Sequence, residues 1–261
     1  MIIDKERLIK EIITKIKKEM DTAVVAMSGG ADSTLVTILL TKALGPENVY
    51  SLHMPYGDRD RKKFNANSEL IADRLKINSY TMPINEISDS IREASSSFIL
   101  PMNKVNQGNC RSRARMTLLY SVSHELGLIG KKVRVVGTGN LSEDYIGYDT
   151  KGGDALADIF PIGELFKSEV YELLDYFVSE GVILDEMVDR VPSAGLWDDQ
   201  SDEDELGYTY NEMELAIRKN LGEDVIVKED VLEFVKHRHV SHKHKHEAPK
   251  VIFLRNKGIL K

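Results

Sequence analysis

The stretch from Ala23 to Ser33, which reads AVVAMSGGADS, constrains the fold of this chain more than any other. Its apolar, β-branched beginning stops at Ser28–Gly30, where glycine allows a sharp change in the backbone direction. From Asp32 to Ala43 apolar residues recur with helical spacing, and Gly45 provides a stop signal. The stretch therefore predicts a strand, a glycine turn and a helix, in that order.

A glycine turn of this kind is suited to binding phosphate or pyrophosphate. Glycine lets a ligand approach the backbone N–H groups, and the helix start adds unpaired donors and the positive end of a dipole. No Gly-Lys-Ser/Thr sequence follows, so the turn is not a Walker A loop. A plain strand-to-helix turn capped by Asp32 is the alternative that the turn alone leaves open.

The composition indicates a globular protein without a nucleic-acid partner. The chain has 261 residues, of which 42% are hydrophobic and 30% charged, which is enough for one sizeable domain. A net charge of −7 opposes the broad basic face that nucleic acid requires. Cys110 is the single cysteine, which excludes an internal disulfide and a cysteine zinc cluster. No signal peptide or membrane span is recognisable, so we expect a cytoplasmic protein.

The rest of the chain alternates between strand and helix patterns. After the first strand, strands are predicted at Asn48–Met54, Ser79–Ile84 and Lys132–Thr138, and the intervening helices at Asn65–Leu75, Ile87–Ala94 and Asn109–Leu128. This alternation predicts an α/β fold with a doubly wound parallel sheet and helices on both faces. We expect a single domain over residues 1–261, with an amphipathic helix at about 1–20 and a helical, basic tail at about 210–261.

Candidate polar residues follow the predicted strands. Thr138 and Glu143 follow the fourth strand, and residues 144–163 form a connection long enough to indicate a functional loop. Arginines alternate at the start of the long helix, at Arg111, Arg113 and Arg115, so we expect at least one to face the edge of the sheet.

Two charged stretches near the C-terminus are open to more than one interpretation. Residues 191–207 are crowded with acids, which favours a solvated, mobile loop over a metal cage. Five of the seven histidines lie between His237 and His246. The interleaved lysines and arginine would repel a cation, so a contact with phosphate or carboxylate is favoured over a metal site.

Several separated motifs together resemble one family over nearly the whole chain, the ammonia-using NAD synthetases. The motif SGGADS is shared with a wider superfamily that splits ATP between its α and β phosphates. The other motifs are specific to the synthetases in this order: NCRSRARM at 109–116, GTGNLSE at 137–143, GYDTKGGDALADIFPIGELFK at 147–167, PSAGLWDDQSDEDELG at 192–207 and the His242-Lys243 pair.

The resemblance implies a ligase that uses ATP, nicotinic acid adenine dinucleotide (deamido-NAD) and ammonia, and that releases AMP and pyrophosphate. The family binds Mg²⁺ as a cofactor and forms a homodimer. The chain has no room for the amidase domain of glutamine-dependent relatives, so free ammonia is the expected nitrogen donor. Because the reaction passes through an acyl-adenylate, no side chain has to form a covalent intermediate.

The resemblance also assigns roles to individual residues. The expected ATP-binding residues are Ala26, Met27, Ser28, Gly29, Gly30, Ala31, Asp32, Ser33, Thr138, Lys167 and Ser193. Asp32 and Glu143 are the expected Mg²⁺ ligands. The residues expected to hold deamido-NAD are Arg113, Lys151, Asp158, His242 and Lys243. In the tail, His244-Lys245 is an alternative register for the His-Lys pair.

Two other functions compete with this interpretation. A tRNA-modifying enzyme of the same superfamily would need a basic surface and often cysteines for sulfur transfer, which the acidic balance and single cysteine oppose. A non-catalytic nucleotide- or metal-binding module would rest on the glycine turn and the histidine-rich tail alone. The joint presence of Asp32, Glu143 and Lys167 opposes that second alternative.

Overall fold

A computed structural model describes residues 2–95, 102–188 and 202–252, with only the backbone for residues 58–66. In these ranges a parallel sheet has the strand order β3-β2-β1-β4. Its strands are β1 (Thr22–Ala26), β2 (Val49–His53), β3 (Asn78–Thr81) and β4 (Val133–Val136). The predicted parallel α/β sheet is confirmed.

In the described residues, helices separate the successive strands, and five further helices follow β4. They are α1 (Lys5–Glu19), α2 (Ala31–Leu44), α3 (Gly57–Leu75), α4 (Asn85–Ser95), α5 (Lys104–Leu128), α6 (Leu141–Tyr145), α7 (Lys167–Ser179), α8 (Asp202–Leu206), α9 (Tyr210–Asn220) and α10 (Glu229–His242). Among them, none combines the length and the hydrophobicity that spanning a lipid bilayer requires.

The sheet is covered on both faces, because successive side chains of a strand point to opposite sides. Ala23 and Val25 of β1 belong to the apolar cluster that contains α1, α2 and α7. Val24, which lies between them, packs instead into the cluster formed with α5. This arrangement confirms helices on both faces and explains why β1 reads as a continuous apolar run.

A third apolar cluster lies outside the two sheet faces and joins the C-terminal helices. It contains Ile146 after α6, Phe166 before α7, Met213 and Ile217 of α9, and Val235 of α10. Helices α6, α9 and α10 are thereby packed together near the segment that follows β4. The single-domain boundary at 1–261 stays a prediction.

Some helices begin earlier than the sequence indicates. Helix α3 starts at Gly57 rather than Asn65, because its charged first half lacks the apolar periodicity on which the prediction relied. Helix α5 starts at Lys104 rather than Asn109, and its N-cap is Asn103, whose side chain accepts a hydrogen bond from the backbone N–H of Asn106. The predicted end of α2 at Gly45 is confirmed.

Candidate active site

The candidate site lies at the carboxyl ends of β1 and β4, which are neighbours in the sheet. Strand β1 pairs with β2 on one side and with β4 on the other. The chain therefore adds β2 and β3 on one side of β1 and then crosses over to add β4 on the opposite side. In open parallel sheets, ligands bind at such a switch point, beyond the carboxyl ends of the strands. The glycine turn after β1 and the GTGN segment after β4 therefore meet at the expected edge.

The glycine turn is held in a defined conformation. Gly29 has a φ of +83°, which favours glycine over residues with a side chain. The Ser28 hydroxyl accepts a hydrogen bond from the Gly30 N–H at 3.2 Å and lies 3.1 Å from the Ser33 hydroxyl. The Asn67 side chain donates to the Gly29 carbonyl at 2.6 Å, a contact that the sequence did not reveal. The turn is thus fixed from both sides before helix α2 begins.

Asp32 does not cap its helix. The N-cap of α2 is Gly30, and Asp32 lies in the first turn of the helix. One carboxylate oxygen of Asp32 lies 2.5 Å from Nζ of Lys167, which itself lies 2.9 Å from Oε1 of Glu143. The capping interpretation of Asp32 is therefore wrong. The structure brings together Asp32, Glu143 and Lys167, which come from three distant parts of the sequence.

Asn140 joins the same group and was missed by the sequence analysis. It is fully buried, and its Nδ2 donates to Oδ1 of Asp32 at 3.0 Å. Its Oδ1 accepts a hydrogen bond from the Glu143 N–H at 3.1 Å, so that Asn140 caps helix α6. The pattern Asn-x-x-Glu in GTGNLSE is typical of a helix N-terminus and could have identified the cap.

The ionic group is strongly perturbed by burial. Lys167 is only 4% exposed. Burial raises the pKa of Glu143 and Lys167 opposes this, while the charges of Asp32 and Asp202 add to it, and the pKa reaches about 8. Burial lowers the pKa of Lys167, but Asp32 and Glu143 more than offset this, so its pKa lies well above the ordinary value. The ammonium group is therefore charged, and it is shared between two acids.

The acidic stretch is not wholly a solvated loop. Asp202 starts helix α8 and is only 2% exposed. The Tyr210 hydroxyl lies 3.0 Å from Oδ2 of Asp202 and 3.3 Å from Oε1 of Glu143, so it lies within hydrogen-bonding distance of both carboxylates. For Asp202, the predicted solvated position is wrong. Tyr210, which carries no recognisable signal in the sequence, and Asp202, which lies in the acidic motif at 192–207, complete the buried cluster.

A buried glutamate positions the two helices that carry Glu143 and Lys167. Glu214 of α9 is 5% exposed and accepts hydrogen bonds from the Ser142 hydroxyl at 2.9 Å and from the Ser168 N–H at 3.0 Å. The Ser142 hydroxyl in turn accepts a hydrogen bond from the Lys167 N–H at 3.0 Å. Because Ser142 precedes Glu143 and Ser168 follows Lys167, Glu214 fixes the distance between α6 and α7.

Most of the residues expected to hold the dinucleotide lie together. Nε of Arg113 donates to the Lys151 carbonyl at 3.2 Å, and Nζ of Lys151 donates to the His244 carbonyl. His242 packs against Gly147, where an added Cβ would lie 2.2 Å from the Cβ of His242. Arg113, Lys151 and the His242-Lys243 pair therefore line one region between α5, the loop after α6 and the C-terminal tail.

Asp158 has a different position. Its Oδ2 accepts a hydrogen bond from the Val135 N–H at 2.8 Å, and its Oδ1 accepts one from the Tyr120 hydroxyl at 3.3 Å. The next residue, Ile159, forms a parallel bridge with Val136 at the open edge of β4. In this conformation the carboxylate of Asp158 is engaged with the edge of the sheet rather than with Arg113 or Lys151.

The remaining predicted residues are placed as follows. Thr138 is half-buried and follows β4 directly, at the carboxyl edge. Ser193 lies outside the described residues. Arg115 donates from Nε to the Met54 carbonyl at 3.0 Å, which confirms that one arginine of α5 faces the sheet edge. Arg111 stacks over the ring of Tyr56 at 3.8 Å from its centroid.

Comparison with known proteins identifies the family. A family model described as NAD synthase matches residues 2–249. The chain belongs to the NAD synthase family. Within it, an NH(3)-dependent NAD(+) synthetase from Fusobacterium nucleatum subsp. nucleatum is 37% identical over 221 residues, which cover 83% of this chain and 79% of that protein.

Solved structures related to the NAD synthase family share the fold. An NMN synthetase from Francisella tularensis has a TM-score of 0.82 and 28% identity, covering 97% of this chain and 100% of that one. An NH3-dependent NAD synthetase from Campylobacter jejuni subsp. jejuni has a TM-score of 0.74 and 25% identity, with the same coverage. The chain therefore shares its overall architecture with both of these solved structures.

We predict that Gly147→Ala detaches the C-terminal tail. Gly147 has a φ of +62°, and the new Cβ would collide with His242. Gly152→Ala is the matched control, because Gly152 has a φ of +75° but no atom within 4 Å of an added Cβ. In urea unfolding, Gly147→Ala should lose about 1–3 kcal/mol more than Gly152→Ala, the usual cost of overpacking. Equal losses would show that backbone strain alone matters and that the contact with His242 does not.

Proposed function

We propose that this chain is an ammonia-dependent NAD synthetase. The observation that carries the proposal is the buried junction of Asp32, Lys167 and Glu143 beside a glycine turn, in a chain of the NAD synthase family. ATP and deamido-NAD first give an acyl-adenylate and pyrophosphate. Ammonia then attacks the activated carbonyl carbon, and the products are the amide of NAD, AMP and a proton.

The glycine turn and the start of α2 are proposed to bind the ATP phosphates. Residues 26–33 lead from the end of β1 into the first turn of α2, where backbone N–H groups lie at the positive end of the helix dipole and favour negative charge. Lys167 adds a permanent ammonium charge for the phosphate oxygens that become more negative as pyrophosphate leaves. We propose that Thr138 and Ser193 also contact ATP, as the family resemblance implies.

Asp32 and Glu143 fit a magnesium ion. Both present carboxylate oxygens, the donors that Mg²⁺ prefers in proteins. With Asp202 nearby, the described acids of this cluster outnumber the single ammonium of Lys167. Burial is the main reason that the pKa of Glu143 is raised, and the charges of Asp32 and Asp202 add to it, so a further cation would favour the charged carboxylate. When bound, Mg²⁺ supplies positive charge to the phosphate oxygens. The side chains of Asn140 and Tyr210 keep the two carboxylates oriented.

The basic region near the tail is proposed to hold the dinucleotide. Arg113, Lys151, His242 and Lys243 offer donors and positive charge for its phosphates. Lys245 is engaged elsewhere, because its Nζ donates to the carbonyls of Gly147 and Asp149. This difference favours Lys243 over Lys245 as the substrate-binding lysine. We also propose that Asp158 contacts deamido-NAD and that the chain forms a homodimer, as the family resemblance implies.

The reaction is tested by measuring pyrophosphate and NAD together. With ATP, Mg²⁺ and ammonium chloride, we expect pyrophosphate release only when deamido-NAD is added, with one NAD formed per pyrophosphate. Glutamine should not replace ammonium. The matched arm replaces deamido-NAD with the mononucleotide that carries the same nicotinate carboxylate, since one structural neighbour is an NMN synthetase. If the protein converted the mononucleotide but not deamido-NAD, the proposed substrate would be wrong, whereas the ATP-driven amidation would still be supported.

The tail register is tested by comparing Lys243→Ala with Lys245→Ala. A charge-assisted hydrogen bond contributes about 1.5–3 kcal/mol, so Lys243→Ala should raise the KM for deamido-NAD about tenfold or more. The KM for ATP should change little. Lys245→Ala should mainly lower the thermal stability, because it removes two hydrogen bonds to backbone carbonyls. The opposite pattern would place the substrate-binding pair at His244-Lys245.

A further inference from the structure

The C-terminal tail is anchored on the loop that follows α6. Nζ of Lys245 donates to the carbonyls of Gly147 at 2.8 Å and Asp149 at 2.6 Å. These bonds place the next residue, His246, over the carboxylate of Asp149. The tail thereby brings a histidine to a part of the chain about 100 residues away, outside the junction of Asp32, Lys167 and Glu143.

Three side chains with metal-binding atoms converge at this position. Asp144 and Asp149 each offer a carboxylate oxygen and His246 offers a ring nitrogen, and these atoms all lie within 4.8 Å of one another. Asp144 lies at the end of α6, against Gly139, where an added Cβ would lie 2.8 Å from its Oδ1. The group therefore combines one nitrogen donor with two oxygen donors from separate turns of the chain.

The carboxylate of Asp149 is the observation that points to a ligand. Its side chain is only 6% exposed, yet neither oxygen has a hydrogen-bond partner among the described residues. Buried polar atoms are almost always hydrogen-bonded or bound to an ion. Nε2 of His246 lies 2.6 Å from Oδ2, an ionic contact whose angles are not those of a good hydrogen bond. A bound metal would separate these two atoms slightly and give the carboxylate the partner that it lacks.

We propose that Asp144, Asp149 and His246 bind a divalent transition metal of the zinc or cobalt class, which fastens the tail to the loop after α6. Imidazole nitrogen selects such metals over Mg²⁺ and Ca²⁺, which prefer oxygen donors alone. Three protein ligands leave a fourth, solvent-facing position, as in many tetrahedral sites.

The neighbouring lysine does not fill the site. Nζ of Lys245 lies 3.4 Å from Oδ1 of Asp149, but it donates its hydrogen bonds to the backbone carbonyls of Gly147 and Asp149. Its charge weakens the binding of any cation, and this penalty falls most heavily on metals held by charge alone. A metal that also forms a directed bond to His246 is favoured for this reason.

The test is titration of Co²⁺ into the full-length, tag-free protein in excess Mg²⁺, followed by visible absorption. The excess Mg²⁺ occupies sites made of oxygen ligands only, such as the one proposed at Asp32 and Glu143. We expect one Co²⁺ per chain, with absorption bands that show a nitrogen ligand and low coordination number. Added Zn²⁺ should displace Co²⁺ and raise the melting temperature.

Matched histidine variants separate this site from unspecific binding by the histidine-rich tail. His246→Gln and Asp149→Asn should each weaken Co²⁺ binding about tenfold or more, whereas His244→Gln should not. His244 is exposed in the same tail, and Nδ1 of its ring lies 3.3 Å from the Ser241 carbonyl rather than near Asp149. His246→Gln is a surface change that keeps the fold, so the test does not depend on Asp149→Asn. Absence of Co²⁺ binding, or equal weakening by His244→Gln, would overturn the proposal.

Discussion

The ion pair of Lys167 with two acids is the interaction on which the candidate site depends. Asp32, Glu143 and Lys167 belong to the first turns of three different helices, and their contact fixes how α2, α6 and α7 meet at the sheet edge. A lysine buried to this degree is costly unless its charge is fully paired. The two carboxylates in turn repel each other and depend on the ammonium group between them. Even beside the ammonium group, burial raises the pKa of Glu143 to about 8, so this carboxylate stays charged at neutral pH only with further positive charge nearby.

Neutral and hydrogen-bonding groups hold this ion pair in place. Asn140 orients Asp32 while it caps the helix that carries Glu143. Glu214 binds Ser142 and Ser168, the sequence neighbours of Glu143 and Lys167, and so joins α9 to the site. The third apolar cluster packs α6, α9 and α10 together, which also positions the tail. A preorganised arrangement of this kind can stabilise charge at phosphate oxygens with little rearrangement during the reaction.

Local signals in the sequence predicted the parts of the site that are local in the chain. The strand, glycine turn and helix around SGGADS are encoded within a few residues, and the end of α2 at Gly45 is as predicted. Tyr210 and Asp202 could not be predicted, because their contact with Glu143 depends on the packing of α8 and α9 rather than on any pattern. The start of α3 was missed because its charged first half shows no apolar period. Likewise, the alternating His and Lys residues of the tail contain no signal that distinguishes Lys243 from Lys245.

The most direct test of this account is the exchange of labelled pyrophosphate into ATP, measured without ammonia and in the presence of deamido-NAD. Exchange reports formation and reversal of the acyl-adenylate alone, so it isolates the step assigned to the Lys167 junction. The account predicts that wild-type protein and Lys17→Met, an exposed control, support exchange, whereas a folded Lys167→Met variant that still binds deamido-NAD does not. Undiminished exchange in Lys167→Met would contradict the account, because the adenylation chemistry would then not depend on the buried ammonium group.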